Sequence, residues 1–221
     1  MNSLMELVCA ICNTVRDSTK QGLSFQKLLN RIRKEFKTNG FDIKIKTARD
    51  KTLNAEVFYA NGFYDPEDDK AGDCPIELII THNFPQDHIW YPTHATELLV
   101  QVFDTIVHEY KHQGQYRKRK FRPASPREDT HKEYLSDPDE IDAYSISITC
   151  ELVRSLGSAR AIRYLHNTVS ISRLKLGGSF VSPSLSMYCG EFTTPDNPVI
   201  KRLVKKVYTR LRKVDTDSVF M

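Results

Sequence analysis

From Ala95 to Tyr110 the apolar residues Ala95, Leu98, Leu99, Val102, Phe103, Ile106, Val107 and Tyr110 recur at the three- and four-residue spacing of one helix face. A helix with so broad an apolar stripe must be buried along one side, so the rest of the chain has to supply a core for it. The same helix carries His108-Glu109-Tyr110-Lys111-His112, which has the form HExxH. At about 100° per residue His108 and His112 share a face with Gln101, Asp104 and Thr105, and Glu109 stands at its flank. Two imidazoles one turn apart reach a single metal ion, and the glutamate between them is placed as a general base. A solvated polar face that happens to hold two histidines is the competing reading.

A catalytic zinc keeps three protein ligands and one open position, so the two histidines leave one ligand to find. Ser136-Asp137-Pro138-Asp139-Glu140 has capping residues, a proline for the first turn and acidic groups suited to the positive end of a helix. Glu140 is the expected third ligand. The stripe Glu140, Tyr144, Ser147 and Glu151 then faces a cleft, while Ile141, Ile148 and Leu152 face the core. A structural reading stays open beside it: with Asp137 as N-cap, Glu140 occupies the N3 position of a capping box and needs no metal. With Ser136 as the cap instead, Glu140 is available to a metal. His131, Glu133, Asp139 and Asp142 are lesser candidates.

Helical spacing also runs over residues 2 to about 20 and 24 to about 38, the second with Ser24 as N-cap and Asn39-Gly40 as its stop. Three strands follow: 41–46, which alternates apolar and charged residues, the aromatic-rich 55–64, and 75–82. Residues 65–73 break the pattern, and 83–93 read as a loop. Beyond the HExxH helix, 117–130 reads as a loop, a helix runs from Pro138 through Val153, and Gly157-Ser158 separates it from a helical pattern ending near Gly177-Gly178. Residues 179–197, with two prolines, read as a long loop before a last, basic helix. The expected fold is therefore α+β: N-terminal helices, a sheet of three or more strands, the HExxH helix and a C-terminal helical part. One domain is expected, with helices and sheet in 1–93, the active-site helix in 94–116 and a helical subdomain in 117–221.

A hydrophobic content of 40% with 27% charged residues is ordinary for a soluble globular chain. The five cysteines are odd in number and no N-terminal stretch resembles a secretion signal, so a cytoplasmic location is expected. Cys9-Ala10-Ile11-Cys12 has no second cysteine pair and lies within the helical pattern Leu4, Leu7, Val8, Ile11, Val15, which makes these helix-face cysteines. No apolar run is long enough to cross a bilayer, so no membrane partner is expected. The net charge of +4 is uneven, concentrated in 111–122 and 201–213. In the latter, Leu203, Val204, Val207, Tyr208 and Leu211 form a core stripe between the basic residues. A solvated helix face is therefore preferred to a nucleic-acid surface.

HExxH followed by Asp139-Glu140-Ile141-Asp142-Ala143-Tyr144 resembles the zincin metallopeptidases, of the gluzincin type in which a downstream glutamate completes the metal site. The resemblance implies a minimal zincin-like domain, bound Zn2+, a protein or peptide substrate and Glu109 as the base that acts on water. It also implies that the strand 75–82 lies beside the active-site helix and pairs with an extended substrate. An oxyanion donor is expected from Tyr188 or His166, each of which has a packed or surface role as its alternative. The arrangement is similar, too, to small peptidases of phages and mobile elements, which would allow a virion location. Two other functions compete: a zincin-fold module of a larger protein assembly with a structural or vestigial metal, and a nucleic-acid-associated protease.

Overall fold

The apolar stripe read from Ala95 is buried as far as Val107: Ala95, Leu98, Leu99, Val102, Phe103, Ile106 and Val107 all lie in the core. In the computed structural model the residues described are 2–54, 57–72, 75–85, 88–122 and 130–214. The fold is α+β, 64% helical, with sheets of two or three strands. The chain divides into two units, Met1–Phe121 and Arg122–Met221.

The first unit runs α1 (Asn2–Ser18), β1 (Leu23–Ser24), α2 (Phe25–Thr38), β2 (Ile43–Arg49), β3 (Phe58–Phe63), α3 (Pro66–Ala71), β4 (Ile76–His82), β5 (Ile89–Trp90) and α4 (Pro92–Lys118). Ser24 sits at the N-cap of α2 in an extended conformation, although its side chain makes no capping bond, and Asn39 closes the helix as expected. Pro92 opens α4 at its first turn, where a missing N–H has no cost. Between α1 and α4 the contact is built from Val8, Ile11, Cys12 and Val15 on one side and the α4 stripe on the other. Cys12 is a helix-face residue whose Sγ–H points at the Leu99 carbonyl oxygen, and burial pushes its thiol pKa far up.

The three-stranded sheet has the order β2-β4-β3, with β4 parallel to β2 and antiparallel to β3. This corrects the role expected of 75–82. Each side of β4 is already paired to a neighbour, so its backbone has no edge to offer an extended peptide. Ile76, Leu78 and Ile80 alternate onto one buried face of the sheet, each contributing roughly 1.5–3 kcal/mol of apolar burial.

Residues 65–73, read as a break, contain α3. Asp65 caps it by accepting the Glu67 N–H, and Gly72 ends it at φ +88°. Its buried Asp69 accepts from Tyr64 Oη at 2.8 Å and from Arg117 Nε and Nη2 at 2.8 and 2.7 Å, tying α3 to the last turns of α4.

The second unit runs α5 (His131–Ser136), α6 (Pro138–Leu156), α7 (Ser158–Tyr164), a 3-10 turn (Leu165–Asn167), α8 (Thr168–Arg173), β6 (Lys175–Leu176), β7 (Ser179–Phe180), α9 (Pro183–Phe192) and α10 (Pro198–Leu211). Here α6 is central, packing against α5, α7, α9 and α10. Residues 179–197 are not a loop as expected: they hold β7 and α9. Ser182 caps α9 by accepting the Leu185 N–H, and Pro183 takes the first turn.

Glu151, expected to face a cleft, is buried instead. Its carboxylate accepts from Ser182 Oγ, Ser184 Oγ and Ser184 N–H at the start of α9, where the helix dipole favours an acceptor. Ser147 is buried as well, and Tyr144 packs on the core of this unit. On α10, Lys206 and Arg210 both reach Asp142 Oδ1, at 2.9 and 2.8 Å, so these two basic residues bind α10 to α6. No helix among the described residues is long and apolar enough to cross a membrane.

Candidate metal centre

Late in α4 the two histidines of the motif converge. His108 Nε2 and His112 Nε2 are 3.0 Å apart, with the ring centroids at 4.7 Å. His112 Nδ1 stands 3.1 Å from Gln115 Oε1, and with Nδ1 as the donor of that bond Nε2 is the nitrogen that carries the lone pair. An outer partner of this kind is what orients a ligating histidine. Two ligand nitrogens of a tetrahedral zinc stand roughly 3.3 Å apart for Zn–N bonds of about 2.05 Å, so the observed spacing suits a shared ion after a small adjustment. His108 is 9% exposed, which keeps the pair out of bulk water on that side.

Beside the histidines, Gln101, Thr105 and Glu109 form a separate row, one turn apart, against the outer edge of β3. The Ala60 N–H donates to Gln101 Oε1 at 3.0 Å, and Thr105 Oγ1 donates to the Ala60 carbonyl oxygen at 3.2 Å. Gln101 and Thr105, which the helical wheel places on the face of the histidines, close the strand edge. Tyr110, third in the motif, packs edge-on against Phe41 with centroids 5.2 Å apart. Its size is explained by the packing of the first unit.

In the second unit Glu140 lies in the first turn of α6. Asp137 is the N-cap, accepting the Asp139 N–H, yet its own N–H goes to the Tyr134 carbonyl oxygen at 3.1 Å. The reciprocal bond that would make Glu140 part of a capping box is therefore supplied by the backbone instead. The lesser candidates have other partners. Glu133 completes a capping box with Thr130, His131 meets Glu191 and Asp142 meets α10. His108 and His112 lie on α4 of the first unit, and Glu140 lies on α6 of the second. Two imidazole nitrogens and one carboxylate oxygen are a donor set that zinc accepts, with a fourth position left open.

No protein-family model, curated protein or solved structure matches the chain.

Around Glu140 the second unit gathers tyrosines. Burial above all, and then the Glu140 carboxylate and the Tyr144 hydroxyl beside it, hold the Tyr134 phenol well above its ordinary pKa. Tyr188, on α9, is fully buried with its ring 5.5 Å from that of Tyr144. Its phenol is likewise pushed up, by burial first and then by Tyr144, Glu140 and Asp137. Among the described residues its hydroxyl has no hydrogen-bond partner, an arrangement that costs roughly 1–3 kcal/mol if nothing compensates it. His166 is exposed on the 3-10 turn and makes no hydrogen bond or ring contact among the described residues. Of the two expected donors, Tyr188 is the one in the electrostatic neighbourhood of Glu140. Sequence reasoning missed Gln115, Tyr134 and Gly62. Only Gly62 carried a readable signal, a glycine inside a strand.

Proposed function

We propose that the chain is a zinc-dependent metallopeptidase in which His108, His112 and Glu140 hold the metal. The observation that carries this reading is the His108–His112 pair of the HExxH motif, whose Nε2 atoms stand 3.0 Å apart on one face of α4 with Gln115 beside His112 Nδ1. Zinc held by these side chains would supply Lewis acidity toward a peptide carbonyl and toward water. Glu109 is placed to take a proton from the attacking water and to deliver it to the leaving amine nitrogen, so that the amine departs neutral. Tyr188 donates its O–H to the oxyanion that develops on the carbonyl oxygen, a preorganised donor in a place from which water is excluded. The substrate is a protein or peptide, and it does not bind by pairing with β4.

The test is hydrolysis of peptide libraries and unfolded protein by the purified chain. Wild type is expected to cleave, a chelator to stop it, and Glu109→Gln to abolish cleavage with the fold intact, because the amide keeps the shape of the side chain and cannot accept the proton. Identical behaviour of wild type and Glu109→Gln would replace the enzyme with a metal-stabilised assembly module.

A further inference from the structure

Gly62 lies on β3 directly beside the HExxH glutamate. A Cβ built at this position would stand 2.5 Å from Glu109 Cγ, 2.6 Å from Thr105 Cγ2 and 2.8 Å from Glu109 Oε1. Real Cβ atoms do not approach so closely, so any larger residue forces a shift. The contact is part of a register. Four residues of helix rise about 6.0 Å and two residues of strand about 6.8 Å, so a row at i, i+4, i+8 on α4 stays in step with alternate residues of β3. Gln101 and Thr105 both bond to Ala60. One step further along, Glu109 meets Gly62. The two bonds at Ala60 fix the height of the helix against the strand, and the absent side chain at Gly62 leaves space that the Glu109 stem fills.

The glycine is not required by backbone conformation, since Gly62 is not among the positive-φ residues. It pairs in ordinary antiparallel register with Leu78. A strand interior pays for glycine in backbone entropy and lost side-chain packing, so the close approach of Glu109 is what explains the residue here.

We infer that Gly62 is the positioning residue for Glu109: the strand leaves a Cβ-sized vacancy that holds the carboxylate in one place relative to His108 and His112. This rests on the metallopeptidase reading for its catalytic meaning, while the seating itself is a property of the first unit alone. A general base must lie within hydrogen-bond reach of the proton it takes, and a displacement of about 1 Å costs on the order of 100-fold in rate.

The experiment uses the full chain and begins from Thr105→Ser, which removes the nearby methyl group and keeps the hydroxyl on Ala60. In that background the two close approaches left to Gly62→Ala, of the three nearest, are both to the Glu109 side chain. It is expected to keep zinc content and zinc affinity, leave KM within about twofold, and lower kcat by on the order of 100-fold. It is also expected to lower the melting temperature by several degrees, and adding Glu109→Ala is expected to restore most of that loss. A role confined to strand packing would lower the melting temperature without this recovery and would leave kcat unchanged. Full kcat in the Gly62→Ala variant, or no recovery with Glu109→Ala, overturns the inference. If wild type has neither zinc nor hydrolysis, the metallopeptidase reading falls, and the melting-temperature cycle alone decides whether Gly62 seats Glu109.

Discussion

Glu151→Gln should make the protein's stability less sensitive to rising pH. The Glu151 carboxyl is buried on α6, and desolvation raises its pKa above the ordinary 4.5 despite the hydrogen bonds from Ser182 and Ser184 that oppose the shift. In the folded chain the group thus holds its proton at a pH where the unfolded chain has released it. The stabilisation is complete below the ordinary value and is lost as pH rises through the raised one. In that window the free energy of unfolding falls by about 1.4 kcal/mol per pH unit on account of this single group. Glutamine mimics the protonated form: its oxygen can accept from Ser182 Oγ and the Ser184 N–H, and its amide can donate to Ser184 Oγ. The variant should therefore match wild type near the ordinary carboxyl pKa and become relatively more stable toward neutral pH. Urea unfolding followed by circular dichroism, at pH values from about 4.5 to about 7.5, measures the difference. Parallel curves for the two proteins, or a variant that is weakest at neutral pH, would refute the reasoning, since either means that the hydrogen bonds outweigh burial and the group is ionised.

Tyr188→Phe removes a buried hydroxyl that has no hydrogen-bond partner among the described residues, so stability should stay the same or rise by about 1 kcal/mol, while kcat falls at unchanged KM because the donor acts only on the developing oxyanion; a stability loss with normal kcat would assign Tyr188 to packing. Asp69→Ala removes the acceptor shared by Tyr64 and Arg117 and should cost about 1–3 kcal/mol, read as an earlier urea midpoint with zinc content unchanged. A midpoint equal to wild type would show that the tie between α3 and α4 does not stabilise the first unit.

The convergence of His108 and His112 was legible because it depends only on helical period and a neighbouring apolar stripe, both local. The strand segments were legible for the same reason, since alternation marks which face is buried. Strand order was not, because alternation in 75–82 looks the same at the centre of a sheet as at its edge; only the pairing with β2 and β3 decides it. Glu151 was misplaced because it shares a helical stripe with Glu140, and the segment that buries it, Ser182 to Ser184, arrives some thirty residues later in the chain. Ser182-Pro183 did carry a helix-start signal, which the prolines and Gly190 around it obscured. The short α3 and α5 were missed because six residues give too little periodicity to read, although Thr130 and Glu133 spell a capping box. Glu140 as part of a capping box was not excluded by the sequence, because the Asp137 N–H goes to the Tyr134 carbonyl oxygen, a backbone bond that no side-chain pattern marks.

The central claim is tested most directly by elemental analysis for zinc on the purified full chain and its variants. About one zinc per chain is predicted for wild type and for Glu109→Gln, with loss in His108→Ala and weakened binding in Glu140→Ala. A wild-type chain that takes up no zinc, or a Glu140→Ala variant that holds it at undiminished affinity, would contradict the account.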